Sequence, residues 1–421
     1  MKITVKIALG LTALVASQPA LAAPPKSQPG DPVSLGGGLT LDPIIDARLR
    51  YEQVDTPTLD ADAVTLRLRA GAELKHKSGF ALLVEGEGTL ALDKSYNAFP
   101  FTIADSQRRP GFAVVADPMN IELNRAQLQY KDKSLTLTVG RQRINLDDQR
   151  FVGNAGWRQN EQTFDAVRAE AKVGPVSFDG TYAISQRTVF GIDAGPRLAY
   201  DGDFVFLGAG AKFGPVQLKG FVYLLDYDPA EQVGALALSN ADTQTYGARA
   251  TTSLPLGKRT KLNLAASYAR QSNWQQNPVS YSADYLAAKA GIVHDRLGLT
   301  AGYEQLGANN GRSFQTPMAT LHKFNGWADL FLTTPPSGLQ DWYGGVSYKF
   351  TSVKRLPGLN AAVTYHRFDS ATGSLHYGGE WDASAGFKLG RVNLLAKFAD
   401  YNANGFGSDT RKFWLQLELG F

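Results

Sequence analysis

Cysteine is absent from the 421 residues, so no disulfide staples the chain and no thiolate can hold a metal. Stability must come from backbone pairing and packing. Histidine is scarce: His76, His294, His322, His366 and His376 show no metal-ligand spacing, and neither a metal site nor a cofactor is expected. No sign of charge prevails, with 43 Lys and Arg against 39 Asp and Glu. No nucleic-acid partner is expected on that balance, and the placement of charges, not their sum, must set any preference for a solute. Long apolar runs are missing as well, which excludes a bundle of membrane helices. One short exception opens the chain.

There, Lys2 and Lys6 precede "IALGLTALVA", and "PALA" offers small residues at a cleavage position. This is the pattern of a secretory signal peptide, residues 1–22, cut after Ala22; the run is too short to span a bilayer. Without Lys2 and Lys6 the formal charge falls from +4 to +2. Residues 23–39 are then a short periplasmic N-terminal segment, and 40–421 the folded body.

What the body has is period two. "LNLAASYARQ", "LGLTAGYEQL", "LNAAVTYHRF", "VSFDGTYAIS" and "VNLLAKFADY" each place apolar or small residues at i, i+2 and i+4, and a ring (Tyr268, Tyr303, Tyr365, Tyr182, Phe398) at i+6. Side chains two apart share a strand face, so each segment has one apolar face with an aromatic near one end, as an aromatic girdle at a membrane interface requires. The other face is charged: Arg48 and Arg50 alternate with Leu49 and Tyr51, and Arg67 and Arg69 with Leu66 and Leu68. Short connections such as "HKSG", "KDKS", "VGP", "FGP" and "LGR" alternate with long stretches at 93–120, 144–161, 187–203 and 305–341. The expected fold is all-β: a transmembrane antiparallel barrel of about eighteen strands, with short periplasmic turns and longer extracellular loops. A sandwich or solenoid would need a second apolar layer, and the apolar faces here are thin, rich in Ala and Gly.

The closing stretch "KFWLQLELGF" alternates Phe413, Leu415, Leu417, Leu419 and Phe421 with polar residues. A last strand pairing with the first leaves no edge exposed to lipid. Leu415, Leu417 and Leu419 would face lipid, and Phe421 the periplasmic interface. Outer-membrane proteins resemble one another in this ending, which implies recognition of Phe421 by the barrel-assembly machinery, integral placement in the outer membrane of a Gram-negative cell, and contact with its lipid.

Chemistry is thinly signalled. "GEGTLA" at Gly86 fits a loose dinucleotide glycine pattern but lies within an alternating strand with no helix after it. A lipid hydrolase on the barrel wall would need His and Ser together on the lipid side; His294 falls at a turn and His366 toward the lumen. No catalytic residues are assigned. The inward basic residues are the better lead: Arg48, Arg50, Arg67, Arg69, Arg125, Arg168, Lys172, Arg249 and Lys397. Guanidinium groups around a narrow aqueous pore favour anions and offer forked donors to carboxylates. Asp46, Glu52, Glu73, Glu85, Glu87, Asp165 and Glu170 are also read as inward, so cross-strand pairing as plain wall structure is the competing account.

Two blocks stand apart: "VGRQRINLDDQRFVGNAGWRQNEQTFDAVR" from Val139, and "SFQTPMATLHKFNGWADLF", residues 313–331. Loops of this length usually carry function or are disordered. Trp157 and Trp327 with neighbouring polar groups suit the face of a pyranose ring, and inward folding of both loops to narrow the pore is equally compatible. Both blocks resemble motifs of the alginate-export family of outer-membrane porins. That resemblance implies a monomeric eighteen-stranded barrel whose electropositive constriction selects an anionic polyuronate. It implicates Arg141, Arg143, Arg150, Arg158 and Asp165 from the first block, and His322, Lys323, Trp327 and Asp329 from the second. A general anion-preferring nutrient porin is the alternative.

Overall fold

The computed structural model describes residues 30–101, 107–229 and 241–420. The signal peptide and the role given to Phe421 lie outside these residues. The elements are β1 (Val33–Gly36), β2 (Leu39–Asp55), β3 (Asp60–His76), β4 (Phe80–Ser95), β5 (Asn120–Lys131), β6 (Leu135–Gln142), β7 (Thr163–Val173), β8 (Val176–Arg187), β9 (Ala199–Phe213), β10 (Val216–Tyr227), β11 (Thr243–Pro255), β12 (Thr260–Asn273), β13 (Ser282–His294) and β14 (Leu297–Leu306). A small hairpin, β15 (Ala308–Asn309) and β16 (Arg312–Ser313), follows. Then come β17 (Leu339–Lys349), β18 (Asn360–Asp369), β19 (His376–Leu389), β20 (Val392–Ala403) and β21 (Thr410–Gly420).

Apart from β1 and the hairpin, each strand pairs antiparallel with its sequence neighbours, and β21 pairs with β2, setting Leu417 against Leu49 and Gln416 against Arg50. The 19-stranded sheet is therefore a closed barrel of eighteen strands with β1 appended to the start of β2. Closure satisfies every ladder without a free edge, the condition for strands in lipid.

Two-residue turns join β7 to β8 and β9 to β10. Gly174 and Gly214 take the first central position with φ of +58° and +56°, and Pro175 and Pro215 follow, which matches a type II′ geometry. The opposite end carries the long connections, 96–119, 143–162, 188–198, 228–242 and 307–338.

Alternation sorts the two faces as expected. Leu66, Leu68, Leu82, Val84, Leu123, Leu128, Leu415 and Leu417 are exposed on the outside, while Arg50, Arg67, Glu52 and Glu87 between them are buried inside. Rings sit on the outer face toward the long-loop end: Tyr303 lies 4.2 Å from Trp342, and Tyr365 4.8 Å from Trp381. Near the short-turn end Phe80 lies 5.0 Å from Tyr130. Two such belts bound an apolar band, the dress of a membrane-spanning barrel.

The interior is not simply open. Inward rings of many strands, among them Phe206, Phe221, Tyr223, Tyr285, Phe368, Tyr401 and Trp414, form one buried cluster with Ile144, Leu146, Val152, Phe314, Met318 and Phe331 of the two long inner loops. Apolar burial holds those loops inside the barrel.

Candidate channel interior

The two distinctive blocks, far apart in sequence, meet within the lumen. Gly153 N–H donates to Met318 O (2.9 Å), Thr320 N–H to Gln149 O (3.1 Å) and Ala155 N–H to Thr320 Oγ1 (3.1 Å). Phe151 fixes the joint, 5.1 Å from Phe221, 5.2 Å from Tyr285 and 5.9 Å from Phe314. Left-handed backbone at Asp147, Gln149 and Ala155 folds the first loop back on itself, and Asn325 and Asp329 do so in the second. Polar or small residues tolerate that conformation best.

Around this joint the inward arginines act largely as anchors. Arg48 reaches Glu418 at 2.7 Å and donates to the carbonyls of Gly156, Trp157 and Arg158 at 3.1, 3.1 and 3.2 Å. Arg50 pairs with Asp117 (3.1 Å), donates to Gln416 (2.7 Å) and lies 4.2 Å from the Trp157 ring centroid. Arg67 bridges Asp46 and Glu418, and Arg69 meets Glu87 and Glu161. Arg125 grips Glu85 with both forks (2.9 and 2.7 Å), and Arg143 joins Glu85 to Glu161. Arg150 is buried on Glu304 (2.8 Å), Thr316 and Asn325. Arg158 pairs with Asp329 (2.7 Å) and lies 3.6 Å from Glu52; Arg168 pairs with Glu170 (2.8 Å) and Arg249 with Asp148 (2.5 Å). Each of these guanidinium groups has a carboxylate partner, so the constriction is charge-paired, not uniformly positive.

Arg141 and Asp165 stand elsewhere than the resemblance implied. They are register partners, with Arg141 Nε 2.7 Å from Asp165 Oδ1, but Arg141 shares its parity with Val139 and Asp165 with Val167, both outward. Counting inward from Arg168 brings Ala166 to the lumen and turns Asp165 out. Asp165 and Glu170 differ by five positions and so lie on opposite faces, which is why the expectation that both face inward holds for Glu170 and fails for Asp165.

The second block carries the most tightly built constellation. His322 Nδ1 donates to Asp329 (2.8 Å), and Lys397 Nζ donates to His322 Nε2 (2.7 Å). Asp329 also accepts from Arg158 and from Lys412 (3.1 Å). The His322 ring stacks on Trp157 at 4.6 Å, and Lys397 lies 4.0 Å from the Trp157 ring centroid and 3.6 Å from that of Trp327. The Trp157 ring is thus covered by imidazole and cations of the protein itself, and the expected sugar-stacking face there is taken. Burial pushes His322 down, Asp329 opposes it and Lys397 adds to it, leaving the imidazole well below its ordinary value. Burial pushes Asp329 up, yet His322, Lys412 and Arg158 outweigh it and hold the carboxyl well below its ordinary range.

Beneath this roof lies a cavity of about 690 Å³, bounded by the lower inner faces of β12, β13, β14, β17 and β18. Lys323 and Trp327 line it with Arg249, and so do Lys289, Glu304 and Asp341, which are not among the residues expected from the sequence. Lys289 had a signal: it is the single charge within "YLAAKAGIV". A second depression, about 820 Å³, involves Ala266, Ala288, Ala290, Tyr303 and Trp342 of the lipid-facing wall.

Comparison with known proteins adds the family. A family model described as alginate export matches residues 41–276. The fold is similar to Pseudomonas aeruginosa OccK9 (OpdG), with a TM-score of 0.70 at 15% identity over 90% of this chain and 98% of that one. P. aeruginosa OpdK, solved with vanillate, gives 0.68 at 15% over 90% and 98%. P. aeruginosa OccK2 (OpdF), solved in complex with glucuronate, gives 0.68 at 14% over 90% and 98%. No curated protein matches significantly by sequence.

Proposed function

The chain belongs to the alginate-export family of outer-membrane porins, and from that premise we propose that it resides in the outer membrane and conducts an anionic saccharide by diffusion through an arginine-lined lumen. The observation that carries this reading is the pairing of Arg48 with Arg67. They stand directly opposite on β2 and β3 and share one carboxylate, Glu418, at 2.7 and 3.4 Å. Like charges in register cost a sheet stability, so a wall built for stability alone would not choose them. Arg67 also meets Asp46, yet its Nε and Nη1 have no hydrogen-bond partner among the described residues, and that donor capacity suits a carboxylate while the neighbouring acids keep its residence short. No bond is made or broken in such passage, and no cofactor enters.

The size of the solute follows the loops. Because both long blocks pack into an apolar cluster inside the barrel, a small carboxylated solute suits the remaining space better than a polymer strand. Structures of the same fold solved with vanillate and glucuronate agree with that reading. Assembly as a monomer through recognition of the C-terminal strand belongs to the same proposal.

Reversal potentials in planar bilayers under a KCl gradient test it. Anion preference is expected, and Glu418→Gln should raise it about twofold by removing the negative charge that Arg48 and Arg67 share. A cation-selective wild-type channel would remove the reading.

A further inference from the structure

The cavity under the inner loops has polarity that the protein itself does not use. Lys289 makes no ion pair among the described residues and points into the cavity from β13. Lys323, exposed at the loop above, donates to the carbonyl of Asp148 (2.8 Å) and has no carboxylate partner. Burial lowers its ammonium, Asp148 opposes, and Lys289 and Arg249 lower it further, so these three cations feel one another across the cavity. Arg249 is already neutralised by Asp148. Hydroxyls line it as well: Thr300, Ser347 and Thr364 stand on neighbouring β14, β17 and β18, and their side-chain oxygens make no hydrogen bond among the described residues. A volume of about 690 Å³ falls in the range of small-molecule sites, about 300–1,000 Å³.

The acids that line the cavity, Asp148, Glu304, Asp341 and Asp382, are each paired with Arg249, Arg150 or His366. Two ammonium groups with spare donors, Lys289 one rung from Thr300 on the adjacent strand and Lys323 on the loop, together with a row of hydroxyls, match a ring that carries a carboxylate at one end and hydroxyls around it. We propose that this cavity is a saturable binding site for a monomeric uronate, with the carboxylate held between Lys289 and Lys323 and the sugar hydroxyls on Thr300, Ser347 and Thr364. The inference rests on the anionic-saccharide reading and adds to it the site, the charge and the size. Charge-assisted bonds hold the carboxylate where hydroxyl contacts alone would be weak.

Titration calorimetry on the refolded full chain in detergent, with glucuronate and with glucose as probes, measures this independently of conductance. Saturable glucuronate binding is expected, with glucose at least tenfold weaker. Lys289→Gln and Lys323→Gln should each weaken glucuronate about tenfold, and Lys289→Arg should restore most of the affinity. A heat-resistant barrel band for each variant on gel electrophoresis checks that folding is retained. Glucuronate binding that is absent, equal to that of glucose, or unchanged in both glutamine variants overturns the site. An anion-selective bilayer current alongside any of those results would leave the channel reading standing without it. Cation selectivity with intact, lysine-dependent glucuronate binding would overturn the channel reading alone.

Discussion

Lys397 on the barrel wall donates a hydrogen bond of 2.7 Å to Nε2 of His322 in the inner loop. Through that bond, and through Asp329 behind the imidazole, the loop is latched to β20. An ammonium can donate to His322 only while the ring is neutral.

Acid should therefore loosen the loop. With its value held low in the docked state, His322 binds fewer protons docked than undocked. Docking is at full strength above about pH 6.5 and weakens as pH falls below it, by up to about 1.4 kcal/mol per pH unit. Asp329, held below its ordinary range, adds stability that fades only at pH values below that range, so of these two loop residues His322 is the one that contributes a slope between pH 7 and 5. Tryptophan emission from the refolded protein should shift to longer wavelength between those values as Trp157 and Trp327 lose cover, and the shift should vanish in His322→Gln. Constant emission across this window would exclude the latch.

Arg158 and Arg168 separate anchor from ornament. Removing Arg158 leaves Glu52 buried without a cation, while Asp329 keeps Lys412 and His322, at a cost of about 3–5 kcal/mol. Arg168 pairs with a half-exposed Glu170, a contact worth at most about 1 kcal/mol. Urea unfolding of Arg158→Gln and Arg168→Gln should show a much lower midpoint for the first; equal midpoints would mean that the loop is held by its apolar contacts alone.

Gly326 should resist even a methyl group. Its φ is +82°, and a Cβ there would lie 2.3 Å from Glu380 Oε2, whose partner oxygen accepts Ala328 N–H at 2.7 Å. Gly326→Ala is expected to cost the loop about 1–3 kcal/mol and to expose 313–331 to protease. Gly358, with φ of +71° and nothing within 4 Å of a Cβ, is the control at about 1 kcal/mol and no new cleavage.

Leu417 tests closure in lipid. It faces outward and is flanked by Leu49 and Leu394 in register. Leu417→Arg should cost about 2–4 kcal/mol of folding into bilayers. Folding yields equal to wild type would place that face away from lipid.

Much of this protein was readable without coordinates, because strand alternation is a local property. Period two assigned Leu415 and Leu417 to the outside and Arg48 to Arg69 to the inside, and the turn glycines marked the short connections. The sequence also singled out the two blocks that meet in the lumen. Which acid each arginine holds was not readable. Glu418, Asp117 and Glu304 come to Arg48, Arg50 and Arg150 from distant strands and loops, and separation along the chain carries no record of that distance.

The amino-acid sequence by itself determined a closed, lipid-facing barrel, since the period of two and a hydrophobic last strand permit few other ways to satisfy the backbone. Tertiary structure alone decided what the lumen does. Only the inward fold of two loops turns Arg48, Arg50, Arg150 and Arg158 into anchors, covers Trp157 with His322 and Lys397, and encloses Lys289 and Lys323, neither of them in an ion pair, in one cavity with a row of hydroxyls. Charge pairing in a confined interior is a matter of distances between segments remote in sequence, and those distances exist only once the barrel has closed around its loops.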